Sequence, residues 1–253
     1  NTPLQVHQEE GSTKYSIGAL DSASGAYKPL YNGSEMAWTD GKHINAVSQW
    51  TSSTDEHFAF ASVTDENLDD PPSLLCRINV GGEDCFSNGK LEKKANAGAV
   101  IDDTYYYGKN VGKSGTESIY YVSGLGEVNA TFHTDTNFVV GDLFDDKILD
   151  FAPLTEPDGF DTLIDDGVAG RSYLIGIGGK FEVFVARIGT DGAPESYAVL
   201  DGTTVDWGNG TEVSKGEFGA AFAYQSLDGD AELLFAENGG AGLFRLELPL
   251  DIP

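Results

Sequence analysis

Adjacent aspartates recur along the chain and are the residues that could act as paired acid and base groups. The pairs are Asp69/Asp70, Asp102/Asp103, Asp145/Asp146 and Asp165/Asp166. Glycosidases need two carboxyl groups about 5–10 Å apart across a cleft, whereas sequence neighbours on a strand point to opposite faces. Each pair also adjoins a turn, where aspartate hydrogen-bonds its own backbone. We therefore interpret the pairs as solvated turn residues, and the sequence predicts that the chain is not an enzyme and has no catalytic residues.

Two acidic segments offer clustered oxygen ligands of the kind that Ca²⁺ prefers. The candidate ligands are Asp65, Asp69 and Asp70 in one segment and Asp158 and Asp161 in the other. Neither segment fits the twelve-residue calcium loop or the glycine–aspartate nonapeptide repeat. The sequence therefore predicts no cofactor and favours diffuse counter-ion binding by a very acidic surface, with a specific Ca²⁺ site at these residues as the alternative.

Histidines and aromatic residues give weaker signals. The histidines have no spacing typical of a metal site or a general base; they are His7, His43, His57 and His133. A sugar-stacking platform could be formed by aromatic residues, namely Trp38, Trp50, Trp207 and the triplet Tyr105-Tyr106-Tyr107. Packing within strands is the favoured interpretation of these aromatic residues.

The chain has two cysteines, Cys76 and Cys85, on either side of Gly81-Gly82. This spacing places them opposite each other on the two arms of a hairpin, where a disulfide would add about 2–3 kcal/mol to stability. A metal site is not favoured because no further cysteine and no nearby histidine completes a tetrahedral set.

Three N-x-[ST] sequons lie in turn-like stretches and are candidate N-glycosylation sites, at Asn32, Asn129 and Asn209. The chain begins at Asn1 rather than Met, so we expect a mature product from which a targeting segment has been removed. Sequons, an even cysteine count and acidity together predict an extracellular or cell-surface location.

The chain's charge restricts its partners. The chain of 253 residues carries 15 Lys and Arg against 41 Asp and Glu, for a net charge of −26. Such a chain repels phosphate backbones and anionic lipids, so we expect no nucleic-acid partner. No apolar run approaches the roughly 20 residues of a membrane span, and 40% hydrophobic residues are enough to form a core.

Runs of five to eight Tyr-, Phe-, Val-, Ile- and Leu-rich residues alternate with Gly-, Asp- and Ser-rich turns, which predicts an all-β protein. The predicted strands span 14–20, 26–31, 43–50, 57–63, 73–80, 98–102, 104–108, 118–123, 128–133, 138–144, 147–152, 172–177, 181–188, 196–200, 218–224, 232–236 and 242–248.

A repeated sequence pattern predicts how these strands are grouped into sheets. A small-residue strand opens each copy, at Gly98-Ala99, Val140-Gly141 and Gly219-Ala220-Ala221, as suits the crowded inner strand of a propeller blade. At about 40–50 residues a blade, residues 1–253 form one β-propeller of five to six four-stranded blades, with seven as the upper limit. We expect the first and last strands to share one blade, which would leave no free sheet edge. The alternative is a β-sandwich.

Three stretches combine a strand with a characteristic turn: Tyr15-Ser16-Ile17-Gly18-Ala19-Leu20-Asp21 with Gly25, the pair 140–143 and 149–152, and the stretch 235–246 (FAENGGAGLFRL). They resemble an uncharacterised secreted or cell-surface β-propeller repeat family of microbes and algae. The resemblance implies a ring of blades and a surface setting, and it supplies no catalytic residues.

The sequence thus predicts a glycosylated, acidic propeller that acts as a structural or adhesive subunit of a cell surface, sheath or extracellular filament. Its partners would be other surface proteins or further copies of itself. Two alternatives stay open: a polysaccharide-active hydrolase or lyase, and a carbohydrate-binding propeller.

Overall fold

The structure is a computed structural model of the chain. It describes residues 4–8, 15–20, 23–24, 26–29, 42–51, 57–65, 74–79, 82–91, 95–109, 119–125, 131–133, 148–155, 171–178, 183–200, 218–226, 230–237 and 242–248. Every regular element among these residues is a β-strand. In the same residues no helix is long and apolar enough to cross a membrane.

Eighteen strands are described, and they form five sheets. The first sheet has three strands: β1 (Leu4–Gln8), β2 (Tyr15–Leu20) and β3 (Tyr27–Pro29). The second has four: β4 (Lys42–Thr51), β5 (His57–Asp65), β6 (Leu74–Asn79) and β7 (Gly82–Lys90). The third has four: β8 (Ala95–Ile101), β9 (Thr104–Lys109), β10 (Ile119–Ser123) and β11 (Thr131–His133).

The fourth and fifth sheets lie in the second half of the chain. The fourth comprises β12 (Ile148–Thr155), β13 (Ser172–Gly178), β14 (Val183–Ile188) and β15 (Pro194–Leu200). The fifth, which we call the last sheet, comprises β16 (Phe218–Gln225), β17 (Ala231–Glu237) and β18 (Gly242–Glu247).

Within each sheet, the strands lie side by side in the order in which they occur along the chain. The pairings in the first, second, fourth and last sheets are antiparallel. Such a series of antiparallel meanders is the arrangement of propeller blades. Greek-key sandwiches instead require strands distant in sequence to pair.

Most predicted strands are found with their ends moved by a few residues. Sequence analysis missed β1, and it predicted a hairpin partner for β6 without giving the bounds of β7. The predicted strand at 138–144, including Gly141, lies outside the described residues, and the fourth sheet begins instead with β12.

The expectation that the first and last strands share a blade is wrong for the described strands, since β1 and β18 belong to different sheets. Each of these strands pairs with its neighbour in sequence, because a short hairpin connection costs less chain entropy than a long one.

The chain divides into two compact units. Unit 1 comprises residues 1–105 and 122–132, and unit 2 comprises residues 106–121 and 133–253. The prediction of a single domain over 1–253 stays a prediction.

Unit 1 has buried apolar residues in each of its described sheets, among them Ile17, Ile44, Leu75 and Val100. The second and third sheets are joined by a hydrogen bond from the Val100 N–H to Ser48 Oγ at 2.8 Å. A Cβ at Gly98 of β8 would overlap the hydroxyl of Tyr105, so this position requires glycine. The small-residue strand therefore serves close packing against the neighbouring strand.

Unit 2 has a core between its fourth and last sheets. The fourth sheet contributes Leu154, Tyr173, Ile175, Ile177, Val183 and Val185, and the segment 223–248 contributes Ala223, Ala231, Leu233, Phe235 and Leu248. This core occupies one face of the last sheet and leaves the other face in solvent.

Candidate functional site

The last sheet is built from two hairpins whose registers fix which side chains share a face. In the first hairpin Phe222 pairs with Leu234 and Tyr224 with Glu232. The turn is held by a hydrogen bond from the Ser226 N–H to the Asp230 carbonyl at 2.8 Å. In the second hairpin Leu234 pairs with Arg245 and Glu232 with Glu247.

Because side chains alternate along a strand, these pairs stand on the same face of the sheet. We call this the outward face; it consists of Phe222, Tyr224, Glu232, Leu234, Leu243, Arg245 and Glu247. On the opposite side lie Ala223, Leu233 and Phe235, which are buried. The outward face thus combines aromatic, aliphatic and charged residues.

Two large apolar side chains on the outward face are exposed, Phe222 at 64% and Leu243 at 67%. They are the exposed large hydrophobic residues of the part of the chain that the structure describes. The ring of Phe222 stacks with that of Tyr224, with centroids 6.0 Å apart and planes inclined by 17°. Two nearly parallel rings therefore form an apolar surface beside the polar groups.

The polar groups of the face contact one another. The hydroxyl of Tyr224 donates a hydrogen bond to Oε2 of Glu232. The other oxygen, Oε1, lies 3.6 Å from Nη1 of Arg245. The Glu232 side chain is only 11% exposed, whereas that of Arg245 is 69% exposed. Tyr224 and Arg245 therefore hold the carboxylate in a fixed position, and Arg245 presents its guanidinium group to solvent.

These contacts change the acidity of Tyr224. Its pKa is raised above the ordinary value, chiefly because its proton is hydrogen-bonded to the Glu232 carboxylate, and further by desolvation and the carboxylate's charge. The charge of Arg245 opposes the shift. Tyr224 is thus a neutral hydrogen-bond donor at neutral pH.

Leu234 lies on the middle strand between Phe222 and Arg245. Since neighbouring strands are about 4.8 Å apart, Phe222 and Arg245 stand about 10 Å apart across the sheet. The row of Tyr224, Glu232 and Glu247 lies next to this row. A ligand the size of one or two sugar rings would span the distance between the ring of Phe222 and the charge of Arg245.

Most of the site residues predicted from the sequence lie outside the described residues. These are Asn32, Asn129 and Asn209 among the sequons, Trp38 and Trp207, and Asp69, Asp70, Asp158 and Asp161 among the calcium candidates. Asp65 ends β5. In the described ranges no group of three or more His, Cys, Asp or Glu residues could hold a metal ion.

Other predicted residues lie on strands or turns. The histidines fall on β1, β4, β5 and β11, and Trp50 falls on β4. Asp102 and Asp103 form an exposed turn, with Asp102 at a φ of 50°. Tyr105, Tyr106 and Tyr107 are buried, so the sugar-stacking alternative for this triplet is replaced by packing. Tyr106 and Tyr107 stack on Tyr121 and Tyr120.

Cys76 is buried on β6 and is disulfide-bonded. Its register partner on β7 is Cys85, the second of the chain's two cysteines.

Sequence analysis did not identify Phe222, Tyr224, Glu232 or Arg245 as site residues. One signal was available, since Phe222 and Tyr224 alternate with Ala221 and Ala223 on a single strand. Both faces of this strand are apolar, so the alternation alone does not say which one meets solvent.

Comparison with known proteins adds evidence on the fold. No protein-family model and no curated protein matches the chain. The solved structure of NanB with Optactamide aligns with a TM-score of 0.50 at 8% identity, covering 94% of this chain and 36% of the NanB chain. The fold is a β-propeller. The predicted fold class is confirmed, and the particular repeat family suggested by the motifs is not established.

Two further structures align less closely. The WD40 β-propeller domain of Doa1 has a TM-score of 0.37 at 9% identity, covering 94% of this chain and 76% of that one. A mutant of the Aleuria aurantia lectin in complex with Fucα1-6GlcNAc has a TM-score of 0.39 at 12% identity, covering 95% and 90%.

One sequence-based prediction is corrected by these comparisons. The chain was expected not to be an enzyme, but the propeller that aligns at a TM-score of 0.50, NanB, is a sialidase. The lack of a short catalytic motif does not exclude catalysis on such a fold, because function depends on a site assembled from separate strands and not on the fold or on one sequence pattern.

Proposed function

We propose that the chain is a carbohydrate-binding propeller and that the outward face of the last sheet binds the glycan. One observation carries the proposal: the exposed ring of Phe222, which stacks with the partly buried ring of Tyr224, lies beside the Glu232–Arg245 pair. Exposed apolar patches rimmed by polar groups are typical of binding sites.

A sugar ring matches this arrangement chemically. The C–H groups of a pyranose form an apolar face that can lie on an aromatic ring, while its hydroxyls require directed hydrogen bonds. Phe222 supplies the apolar surface, and Arg245 supplies charge-assisted donors. Glu232 has about four lone-pair sites, of which Tyr224 and Arg245 use two, so acceptor capacity remains for sugar hydroxyls.

The sequence favoured a structural or adhesive subunit and kept carbohydrate binding as an alternative. The alternative is the better supported of the two, since the exposed face has the chemistry of a glycan site. Proteins of a cell surface or filament would then be held through their glycans.

An extracellular location and glycosylation at Asn32, Asn129 and Asn209 belong to the same proposal, and mass spectrometry of the secreted chain before and after N-glycosidase treatment tests them.

The proposal is tested by titrating the purified chain with glycans from a microarray and measuring Kd by calorimetry. We expect Phe222→Ala to weaken binding about tenfold, because loss of a stacked ring removes about 1.4 kcal/mol. Lys28→Gln, an exposed change on the first sheet, is the control and should leave Kd unchanged. An array with no bound glycan, or a Phe222→Ala variant with wild-type affinity, would contradict the proposal.

A second candidate, glycoside hydrolysis, is favoured by the hydrogen bond from Tyr224 to Glu232. A tyrosine hydroxyl with an adjacent base can act as a nucleophile, and some glycosidases use one. The test is release of aglycone from a panel of aryl glycosides, which Tyr224→Phe should abolish while Tyr197→Phe does not. Wild-type chain that releases no aglycone from any member would exclude this candidate.

A further inference from the structure

The charges of the outward face restrict the class of sugar that it can bind. The face carries two carboxylates, Glu232 and Glu247, against one guanidinium group, Arg245. Glu247 is exposed and is the register partner of Glu232. The local charge is therefore −1, on a chain whose net charge is −26.

The one cation of the face is already compensated. Nη1 of Arg245 lies 3.6 Å from Oε1 of Glu232, a carboxylate that is only 11% exposed. A negatively charged sugar would therefore meet a guanidinium whose charge is largely balanced, with Glu247 two residues further along the same strand. The Coulomb repulsion from Glu247 is about 1 kcal/mol for charges 4 Å apart in water.

Hydrogen bonding and stacking do not need a charged ligand. The exposed N–H groups of Arg245 can donate to hydroxyls, and the carboxylates of Glu232 and Glu247 can accept from hydroxyls. Phe222 provides the apolar surface for the ring. A neutral sugar uses all of these groups and incurs no repulsion.

From this we infer that the outward face of the last sheet is selective for neutral sugars over acidic ones, with Glu247 as the residue that determines this specificity. The inference rests on the proposed function and names its substrate class. The site disfavours uronic acids and other carboxylated sugars because the carboxylate of Glu247 repels their charge.

The test uses sugars that differ only in charge: methyl glycosides of glucose, galactose and mannose, each with the matching uronic acid. Kd for the purified full chain is measured at low salt and at about 0.5 M salt, where the Debye length falls to roughly 4 Å. We expect each uronic acid to bind about fivefold more weakly than its neutral partner at low salt, and the ratio to approach one at high salt.

Two variants distinguish the effect of the local charge on this Kd ratio from the effect of the chain's overall charge. Glu247→Gln should reduce the fivefold ratio to below about twofold. Glu195→Gln, which removes the same charge from an exposed residue of β15, should leave the ratio as in the wild type. Glucosamine, compared with N-acetylglucosamine, tests whether the negative face attracts a cationic sugar.

The outcomes are distinct. Uronic acids bound as tightly as the neutral sugars, or tighter, would overturn the charge selectivity while leaving carbohydrate binding intact, and so would glucosamine bound more weakly than N-acetylglucosamine. An equal effect of Glu195→Gln and Glu247→Gln would overturn the role of Glu247. If no member of the panel binds, the proposed function fails and the selectivity fails with it.

Discussion

In the fourth sheet every residue from Ser172 to Ile177 is buried, whereas along β18 of the last sheet exposed and partly buried residues alternate. The strand β13 is therefore covered on both faces, and its sequence is accordingly almost continuously apolar. The last sheet packs through one face only. Both sheets therefore contribute to the core of unit 2, and the last sheet also presents a surface to solvent.

Phenylalanine occurs in both environments, which allows a matched test. Phe184 of β14 is buried and lies against Tyr197, with ring centroids 5.7 Å apart. We expect Phe184→Ala to lower the free energy of unfolding by about 3–5 kcal/mol, through lost burial and a cavity. Phe222→Ala should change it by less than about 1 kcal/mol. Urea denaturation measures both, and equal losses would contradict the assignment of the outward face to solvent.

Leucine provides the same test within the last sheet alone. Leu233 is buried in the core of unit 2, whereas Leu243 is exposed on the outward face. Leu233→Ala should cost about 2–5 kcal/mol and Leu243→Ala less than about 0.5 kcal/mol. A large loss for Leu243→Ala in thermal unfolding would show that another surface covers this face.

Each of the two sheets also has an arginine–glutamate pair. Nε of Arg187 lies 3.4 Å from Oε2 of Glu195, which is 51% exposed, so Glu195→Gln should change stability by about 0.5 kcal/mol or less. Glu232 is nearly buried and accepts a hydrogen bond from Tyr224, so Glu232→Gln should cost about 1 kcal/mol. Chemical denaturation measures the free energy of unfolding of both variants. A larger loss for Glu195→Gln than for Glu232→Gln would contradict the fixed position of Glu232.

The smallest expected effect is a shift in the titration of Tyr224. Because its pKa is raised in the folded chain, the neutral phenol contributes stability below the ordinary tyrosine pKa, near 10. That contribution is lost as pH rises through the higher, folded pKa. Phenolate absorbance of the wild type minus that of Tyr224→Phe isolates this residue. Glu232→Gln should move the difference curve to lower pH, and an unchanged curve would show that the carboxylate does not cause the shift.

Much of the architecture could be predicted from local pattern. Glycine-containing turns and short apolar runs give the strands, and the spacing of Cys76 and Cys85 about Gly81-Gly82 gives the hairpin in which they lie opposite each other. The pairing of Tyr224 with Glu232 also follows from one short hairpin. Arg245 could not be placed in this way, because its contact with Glu232 depends on the register of a second hairpin as well.

By itself, the sequence determined that the chain is all-β, that its strands group into successive meanders, and that its charge is strongly negative. These are local properties, since each turn and each strand depends on a few neighbouring residues. Only the tertiary structure decided which face of the last sheet is buried. Ala223, Leu233 and Phe235 on one side and Phe222, Leu234 and Leu243 on the other are both apolar sets, and burial depends on which set finds a neighbouring sheet to pack against.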